Sequence, residues 1–488
     1  MPNNVRFIQL APEGCLPVTQ EDYDAARPKQ VLRQMDRMGF RTLCHAPFTT
    51  LDFSPRGDVA PCNHLFSSLG KVDEQFSILE LWNGHRMTDL RNRMIEYTLD
   101  PEVCRHCVLQ IGTRQYGQTF AMGQFDSHPA TDRRPMYPKR MIFRMNSTCN
   151  LACIMCNGET SSRIRREFER LPVVAPVYGE RFFRDLEEIL PHLEHVEFYG
   201  GEPFLVREHL RIFELIEKTG ARCSIYVNTN ATSLNPRSRA FLEKLNFTII
   251  AISMDAVSPE VHERVRYGLR SRVFQETVAY YLDLRRRRGV FLMLNVTEHR
   301  KNWFELPEIF RFAEKQDLLL HINTCIYPEN VTLYNLPTSQ LQYVHQFSLE
   351  QRKRLCAEFK PFKNLPAYDF HISLMATELD KRDADWKAVP FERSPLCDGL
   401  LAAPIPGLAP FARPEDVVAE ALRMQILDPA TRHRMLQEMR TRIMTNLDSA
   451  EWGEVLSCID AELPESVGGG KVCNIEGESC YNERLLGR

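Results

Sequence analysis

Short apolar runs alternate with helix-like stretches along the middle of the chain, from Arg140 to about Val331. Six of these runs have the length and the residue types of β-strands. They cover residues 141–146, 195–200, 223–230, 247–255, 291–297 and 318–326. Strands that alternate with helices at this spacing form βα units, so the pattern predicts an α/β domain with a parallel sheet. It fits both a partial barrel and an open doubly wound sheet, and does not choose between them.

Three cysteines follow the first of these strands in one short segment. Cys149, Cys153 and Cys156 form a C-x3-C-x2-C run. Three thiolates in one loop can bind three irons of a [4Fe–4S] cluster and leave the fourth iron open to a small molecule, much as a catalytic metal keeps one position free. A zinc site is the alternative, but it needs a fourth Cys or His close by, and the loop contains none.

This run resembles the cysteine signature of the radical S-adenosylmethionine (SAM) superfamily, in which an asparagine follows the first and the last cysteine, as here. A second resemblance lies at the end of the second strand. The family's GGEP motif is matched there by Gly200, Gly201, Glu202 and Pro203. Glycines let a backbone approach a ligand closely. The resemblance implies that this edge and its glutamate hold the amino group of SAM, whereas a GGEP by itself is more often only a turn.

Weaker matches to the same family lie on the later strands. The third strand ends in an Asn-Thr-Asn sequence that begins at Asn228, and the fourth contains Ser253 and Asp255 of an S-x-D signature. An H-x-x-x-R-x-G pattern follows, formed by His262, Arg266 and Gly268. Because the C-terminal ends of barrel strands face the active site, the resemblance implies that Asn228 and Ser253 bind SAM. The alternative is that both side chains only satisfy loop backbone groups.

The resemblance also implies a fold and a mechanism. The fold is a partial (βα)6 radical SAM barrel, here with a small N-terminal Twitch-like cluster domain and a helical C-terminal extension. In this family an electron passes from the cluster to the sulfonium of SAM, which breaks into methionine and a 5′-deoxyadenosyl radical. The radical then abstracts hydrogen from a substrate. The cofactor supplies this chemistry, and the protein positions and shields it.

Four more cysteines lie upstream of the strands. Cys44 and Cys62 are widely separated, and Cys104 and Cys107 form a closing C-x2-C pair. The surrounding pattern resembles the Twitch/SPASM class of auxiliary-cluster domains, through Pro47, Phe48, Gly57, Gly70, Trp82 and Asn83. The resemblance implies one fully ligated auxiliary [4Fe–4S] cluster that transfers electrons. The alternative is a zinc ribbon, but its two knuckles are C-x2-C pairs, unlike the first pair here. In the best-known members this domain follows the barrel, and here it precedes it.

These motifs divide the chain into five predicted segments. They are an N-terminal segment (1–43), the Twitch/SPASM-like domain (44–107), a linker (108–138), the radical SAM core (139–390) and a helical extension (391–488). The extension weakly resembles the last helices of GT-B glycosyltransferases, without the acidic sugar-nucleotide motif expected upstream.

Composition limits the remaining function classes. The 488 residues include 61 Lys and Arg against 64 Asp and Glu, a net charge of −3, which argues against a nucleic-acid binder. No apolar run reaches membrane-spanning length, and the first residues lack the pattern of a secretory signal, so we expect a cytoplasmic protein without membrane contact. Fifteen cysteines in a reducing compartment favour cluster ligation over disulfides.

The sequence therefore predicts a radical SAM enzyme that acts on a peptide or small-molecule natural-product substrate, by oxidation or cross-linking. We expect an electron donor such as a flavodoxin or a ferredoxin. Two alternatives stay open. One is a non-catalytic iron–sulfur or zinc protein that serves as a sensor or scaffold. The other is a glycosyltransferase-fusion protein that acts in a polysaccharide pathway.

Overall fold

The computed structural model describes most of the chain up to Arg382. The described residues are 16–17, 42–63, 68–72, 77–99, 103–104, 107–108, 125–126, 128–325, 328 and 331–382. The predicted helical extension 391–488 and most of the N-terminal segment 1–43 lie outside them.

The chain divides into two compact units. Among the described residues, the first unit contains those up to 150 together with 157–253 and 272–293, and the second contains 151–156, 254–271 and those from 294 to 382. The cysteine loop 149–156 therefore starts in the first unit and continues in the second.

The described strands and helices of the first unit begin in the upstream cysteine region. They are β1 (Leu16–Pro17), α1 (Ala46–Thr49), β2 (Thr50–Phe53), β3 (Asp58–Ala60), β4 (Gly70–Lys71), α2 (Ile78–Trp82), α3 (His85–Ile95), β5 (Thr98–Leu99) and β6 (Arg140–Phe143). After the cysteine loop come α4 (Ser162–Glu167), α5 (Glu180–Ile189), β8 (His195–Phe198), α6 (Arg207–Thr219), β9 (Ser224–Thr229), α7 (Pro236–Lys244), β10 (Phe247–Ser253) and α9 (Ser271–Arg288).

The sheet of the first unit joins the upstream region to the barrel strands. Its strand order is β10-β9-β8-β6-β2-β3-β4. Neighbours from β10 through β2 are parallel, and the β2-β3-β4 hairpins are antiparallel. The strand β2 therefore extends the sheet beyond β6, the first barrel strand. The Twitch-like region is thus a continuation of the barrel sheet in this unit.

A row of phenylalanines explains this pairing. Phe53, Phe143 and Phe198 are direct register partners on β2, β6 and β8. Their ring centroids lie 5.6 Å and 5.3 Å apart along the row. On the same face, Phe182 of α5 contacts Phe53, and Phe213 of α6 contacts Phe198. Burial of aromatic side chains is a large source of stability, so one core holds the upstream strand and the barrel strands together.

The helices of this unit follow local sequence rules. Phe182, Phe183, Leu186 and Ile189 are the buried residues of α5, at the spacing of one helix face. The helix α6 ends at Gly220, whose φ of 65° is the left-handed conformation that glycine tolerates. Asn235 caps α7 by accepting a hydrogen bond from the Ser238 backbone N–H.

The second unit contains short elements around the later cysteines and a helical pair. They are β7 (Ala152–Cys153), α8 (Pro259–Val265), β11 (Arg266–Tyr267), α10 (Leu306–Lys315), β13 (Leu319–Thr324), α11 (Thr338–Glu358) and α12 (Leu365–Arg382). The strand β12 (Phe291–Glu298) begins in the first unit and ends in this one. In a buried network, Glu298 accepts from His371, whose other ring nitrogen bonds Ser348.

All six predicted strands are present, as β6, β8, β9, β10, β12 and β13. The predicted α/β class with a largely parallel sheet is confirmed.

Part of the predicted linker 108–138 packs against the upstream region: Phe125 and Ala130 are buried with Cys44, and Trp82 donates its indole N–H to the Pro135 carbonyl. Among the described residues, none of the helices has the length and apolarity needed to span a bilayer.

Candidate functional site

The GGEP turn packs directly against the backbone that leads into Cys149. A Cβ on Gly201, which has a φ of 40°, would lie 2.3 Å from the Thr148 carbonyl oxygen. The same oxygen accepts a hydrogen bond of 2.8 Å from the Glu202 backbone N–H. A Cβ on Gly200 would lie 3.4 Å from the Cα of Arg144. The turn therefore requires glycine because the strand end before the cysteine loop occupies the space of a side chain.

The segment between β6 and Cys149 is held at several points. The Arg144 backbone N–H donates to the Phe53 carbonyl at 2.9 Å, and its guanidinium donates twice to one oxygen of Asp52. The Asn146 side-chain oxygen accepts from the Thr148 N–H and hydroxyl at 2.9 and 2.8 Å. These bonds fix the backbone on which Cys149 begins.

Asp52 contributes a buried charge to this arrangement. Its carboxylate is fully buried on β2, and burial raises its pKa to about 6, against the opposing effect of Arg144. The Asp52–Arg144 pair therefore connects the upstream region to the segment that precedes the cysteine loop.

Glu202 is fully buried and faces the end of β9. Its carboxylate accepts hydrogen bonds from the Thr229 hydroxyl at 2.7 Å and the Asn230 backbone N–H at 2.8 Å. The Asn230 side chain then donates to the Asn150 side-chain oxygen at 3.0 Å and lies 3.9 Å from the Cys149 sulfur. One hydrogen-bonded chain thus connects the GGEP turn to the first cysteine.

The other predicted SAM-binding residues of the first unit lie close to this chain in sequence. Pro203 is buried next to Glu202. The Ser253 hydroxyl donates to the Asn228 side chain at 3.3 Å, across the ends of β10 and β9. Both side chains are half-buried at the carboxyl edge of the sheet, where ligands of parallel sheets bind.

Sequence reasoning missed Asn230, although it lies in the same Asn-Thr-Asn sequence as Asn228. On a strand, alternate side chains point the same way, so sequence pattern did not separate the two asparagines. The presence of an acidic residue in the GGEP turn was the available signal, because a buried carboxylate needs hydrogen-bond donors close by.

In the second unit, Cys153 lies beside a paired arginine. The strands β7 and β11 are antiparallel, with Cys153 opposite Arg266. Arg266 donates to Asp255 at 2.6 Å and its guanidinium lies 3.9 Å from the Cys153 sulfur. Asp255 in turn accepts from the Thr297 N–H at 2.7 Å. Burial raises the pKa of the Cys153 thiol to about 12, and the Arg266 charge opposes that rise.

Cys156 forms a turn with Cys153 in the same unit. Its backbone N–H donates to the Cys153 carbonyl at 3.0 Å, and its side chain is half-buried. The S-x-D residue Asp255 thus accepts hydrogen bonds from Arg266 and from the Thr297 N–H on β12. The arginine of the H-x-x-x-R-x-G pattern contacts the Cys153 sulfur. The sequence motifs included both Asp255 and Arg266, but they did not predict that the two residues form a pair or that Arg266 contacts Cys153.

The four upstream cysteines converge on one apolar core. Cys44 is a member of this core, and Cys62, Cys104 and Cys107 pack against it. The other members are Leu43, Ala46, Phe48, Leu90, Met94, Leu99, Phe125 and Ala130. Within the described ranges, no group of three or more His, Cys, Asp or Glu is spaced to hold a single metal ion. The ligands of a four-iron cluster each bind a different iron.

The donor chemistry fits iron–sulfur clusters at both cysteine groups. Thiolates are the usual cluster ligands, and N–H donors near their sulfurs stabilise negative charge. Asn230 provides such a donor at Cys149, and Arg266 provides one at Cys153. The Cys44 thiol is buried among apolar side chains, and the three half-buried upstream cysteines pack against the same apolar core, which suits thiolate ligands of a cluster.

Comparison with known proteins gives two family matches. Residues 144–312 match the radical SAM superfamily, and residues 44–108 match an iron–sulfur cluster-binding domain, SPASM. Both matches coincide with the two cysteine groups identified above.

Curated relatives match over parts of their length. The mycofactocin maturase MftC of Mycobacterium ulcerans is 27% identical over 135 residues, which cover 26% of this chain and 32% of the relative. The AdoMet-dependent heme synthase of Methanosarcina barkeri is 23% identical over 184 residues, 36% of this chain and 48% of the relative. The chain spans less than half the length of the curated relatives it matches.

One solved structure illustrates the structural comparison. Streptococcus suis SuiB bound to S-adenosylmethionine is 13% identical, with a TM-score of 0.31, over 45% of this chain and 45% of SuiB.

Proposed function

We propose that this chain, whose residues 144–312 match the radical SAM superfamily and whose residues 44–108 match the SPASM iron–sulfur domain, is an enzyme that modifies a peptide by radical chemistry. The observation that best supports the proposal is the hydrogen-bonded chain from Glu202 through Asn230 to the Cys149 sulfur. It ties the turn proposed to bind SAM to a residue proposed to bind the cluster.

The radical SAM domain implies a SAM-binding [4Fe–4S] cluster and SAM, and the SPASM domain implies auxiliary iron–sulfur ligation. We assign the first cluster to Cys149, Cys153 and Cys156. When bound, this cluster and SAM together supply one-electron reductive cleavage of the sulfonium and a carbon radical that abstracts hydrogen.

The residues of this chain bind and orient that pair in the proposal. Gly200, Gly201, Glu202 and Pro203 follow β8, Asn228 lies near the end of β9 and Ser253 ends β10. Neighbouring parallel strands end at one edge of a sheet, so these residues can form a single SAM-binding edge. The buried Glu202 carboxylate holds the end of β9 in place.

The upstream cysteines serve electron transfer in this proposal. We assign one auxiliary [4Fe–4S] cluster to Cys44, Cys62, Cys104 and Cys107. A cluster whose irons all have protein ligands has no open position for a substrate, so its role is to pass electrons. An auxiliary electron acceptor fits oxidation or cross-linking of the substrate.

The substrate class rests on similarity. The maturase MftC is among the relatives, and a heme synthase is another, so a small natural product is the second candidate substrate. We place the enzyme in the cytoplasm, where a flavodoxin or a ferredoxin supplies the electron.

The test uses anaerobically reconstituted full-length protein. Iron and sulfide are counted, and dithionite and SAM are then added to look for 5′-deoxyadenosine. The proposal predicts about eight irons per chain, the content of two four-iron clusters, and SAM cleavage. Zinc in place of iron, or two clusters without cleavage under strong reductant, would contradict it and favour a sensor or scaffold.

A further inference from the structure

A cavity beside α3 in the SPASM region is lined by basic side chains. Its volume is about 210 Å³, and Arg91, Arg133 and Arg134 line it together with Asn92 and Glu96. Three guanidinium groups against one carboxylate give the lining a net positive charge. The volume is several times the roughly 30 Å³ that one water molecule occupies in the liquid, so the cavity has room for a small ion with its water.

Arg91 is the unusual member of this lining. Its side chain belongs to a residue that is only 4% exposed, and its Nη2 is buried without a hydrogen-bond partner. Its Nε donates to the Pro47 carbonyl at 2.9 Å. Arginine is almost never fully buried unless it is paired. Burial lowers the pKa of Arg91 to about 10, and the charge of Asp132 opposes this change. The charged neighbours in the protein therefore offset only part of the cost of burying the guanidinium.

Trp82 holds both sides of the cavity in place. The guanidinium carbon of Arg91 lies 4.3 Å from the centroid of the Trp82 ring, a cation–π contact. The indole N–H of the same tryptophan donates to the Pro135 carbonyl at 2.8 Å. Asp132 accepts from the Arg134 backbone N–H at 2.9 Å and so forms a turn. The two exposed arginines therefore stand on a segment that is fixed to Trp82.

These contacts distinguish the cavity from a solvated basic surface. Surface arginines normally keep their charged group in water. Here one guanidinium is removed from water, stacked on a fully buried indole and positioned beside two further arginines. Guanidinium groups bind planar or tetrahedral oxyanions through pairs of parallel N–H donors.

We propose that the cavity formed by Arg91, Arg133 and Arg134 is a binding site for an oxyanion, a carboxylate or a phosphate group. Arg91 supplies the buried charge, the two exposed arginines close over the ion, and Asn92 offers an amide donor. The residues that line this site belong to neither cysteine group. The proposal of an oxyanion site therefore does not depend on the radical chemistry proposed above. Nevertheless Leu90 and Met94, also on α3, belong to the apolar core that holds the four upstream cysteines.

The experiment is calorimetric titration of the full-length reconstituted protein in a zwitterionic buffer. Inorganic phosphate and acetate are the two probes, and chloride keeps the ionic strength constant. The two probes distinguish a phosphoryl ligand from a carboxylate ligand. We expect saturable binding of at least one probe, because chloride cannot replace an oxyanion that accepts paired N–H bonds.

Three variants locate the binding. Arg134→Ala changes an exposed side chain, so it should fold normally and weaken binding at least tenfold. Arg91→Lys keeps the charge but loses the planar donor pair, and should weaken binding by a similar factor. Arg272→Ala is the matched control, because Arg272 is 89% exposed on α9 and does not line the cavity. It should bind like the wild type.

Two results would overturn the site. One is the absence of saturable binding of either probe by the wild-type protein. The other is binding that Arg134→Ala leaves unchanged, or that Arg272→Ala weakens equally, since either points to a general charge effect. Iron content and circular dichroism of Arg91→Lys separate a lost ligand contact from a misfolded domain. If Arg91→Lys misfolds, the binding affinity of Arg134→Ala, compared with that of Arg272→Ala, decides whether the cavity is the binding site.

Discussion

The two cysteine groups of this chain are built in opposite ways. Cys149, Cys153 and Cys156 lie in one short loop, and polar side chains contact their sulfurs: Asn230 at the first and Arg266 at the second. Cys44, Cys62, Cys104 and Cys107 are spread over a long segment and meet only because each packs against one apolar core. The first group therefore depends on local geometry, and the second depends on the folding of its domain.

This difference suggests a division of labour. In the proposed function, the short loop supplies three cluster ligands from neighbouring positions of the sequence, and the strand ends around it bind SAM. The upstream cysteines instead pack on an apolar core, with Cys44 buried and the other three half-buried, and such apolar surroundings lower the local dielectric around a redox centre. The strand β2 joins the two regions, because it extends the barrel sheet beside β6.

The largest expected effect separates the two groups directly. Cys149→Ala should abolish SAM cleavage and leave about four irons in the upstream group, because a three-ligand cluster cannot lose a ligand and stay bound. Iron analysis and 5′-deoxyadenosine measurement check this. Cys356→Ala, which changes a half-buried cysteine on α11, is the control and should retain SAM cleavage and the full iron content. If Cys149→Ala cleaved SAM at the wild-type rate, the cysteine loop would not be required for the reaction.

The reciprocal change should act mainly on the upstream region. Cys44→Ala removes both a proposed ligand and a buried core residue. We expect loss of about four irons and a lower unfolding temperature of this region, while SAM cleavage persists. Limited proteolysis and iron analysis measure the change. Equal loss of SAM cleavage in Cys44→Ala and Cys149→Ala would show that the two groups do not act separately.

The next prediction tests the contact between the GGEP turn and the cysteine loop. Gly201→Ala places a Cβ against the Thr148 carbonyl, so the loop must shift, at a cost of about 1–3 kcal/mol in the free energy of unfolding. SAM affinity should fall at least tenfold. Gly220→Ala is the control, because Gly220 also has a positive φ but has no atom within 4 Å of the added Cβ. It should cost about 1–2 kcal/mol from backbone strain and leave SAM affinity unchanged.

Arg266 provides a test of the charge beside the loop. Arg266→Gln removes a positive charge 3.9 Å from the Cys153 sulfur, which should disfavour the reduced cluster. We expect the ratio of reduced to oxidised cluster at a fixed potential to fall roughly tenfold, equivalent to about 59 mV for one electron. Spectroscopic redox titration measures it. Arg266→Lys keeps the positive charge, so the ratio of reduced to oxidised cluster should fall less in this variant. An equal fall of the ratio in both variants would show that the geometry of the arginine, and not its charge, causes the effect.

The last prediction concerns the Asp52–Arg144 pair, which connects the upstream strand β2 to the segment before the cysteine loop. Burial raises the pKa of Asp52 in the folded protein to about 6, above its ordinary value of 3.8, so the folded state binds the proton first as pH falls. The ionised group therefore opposes folding above pH 6, and this cost disappears as pH falls from 6 towards 4. Relative to Asp52→Asn, the wild-type free energy of unfolding should rise by about 1–3 kcal/mol from pH 7.5 to pH 4.5. Denaturant titrations at several pH values measure the difference, and a constant difference would refute the assignment.

Much of the fold could be read from the sequence because its signals are local. The six strands show as apolar runs, and each was present close to its expected bounds. Gly57, one of the residues that carry the Twitch/SPASM resemblance, has a φ of 81° in the turn between β2 and β3. By contrast, the pairing of β2 with β6 was not predicted, because strand order depends on contacts between distant segments. The same reason explains why the contact of Arg266 with Cys153 was missed.

The sequence by itself determined which residues are chemically capable: the spacing of three cysteines, the second set of four and the glycines of the GGEP turn. Only the tertiary structure decided how they are used. It placed the Thr148 carbonyl where a side chain on Gly201 would stand, aimed Glu202 at the end of β9 rather than leaving it exposed, and gathered four distant cysteines on one core. The reason is physical: spacing along a chain fixes short-range geometry, whereas burial and hydrogen-bond partners follow from segments that meet only after folding.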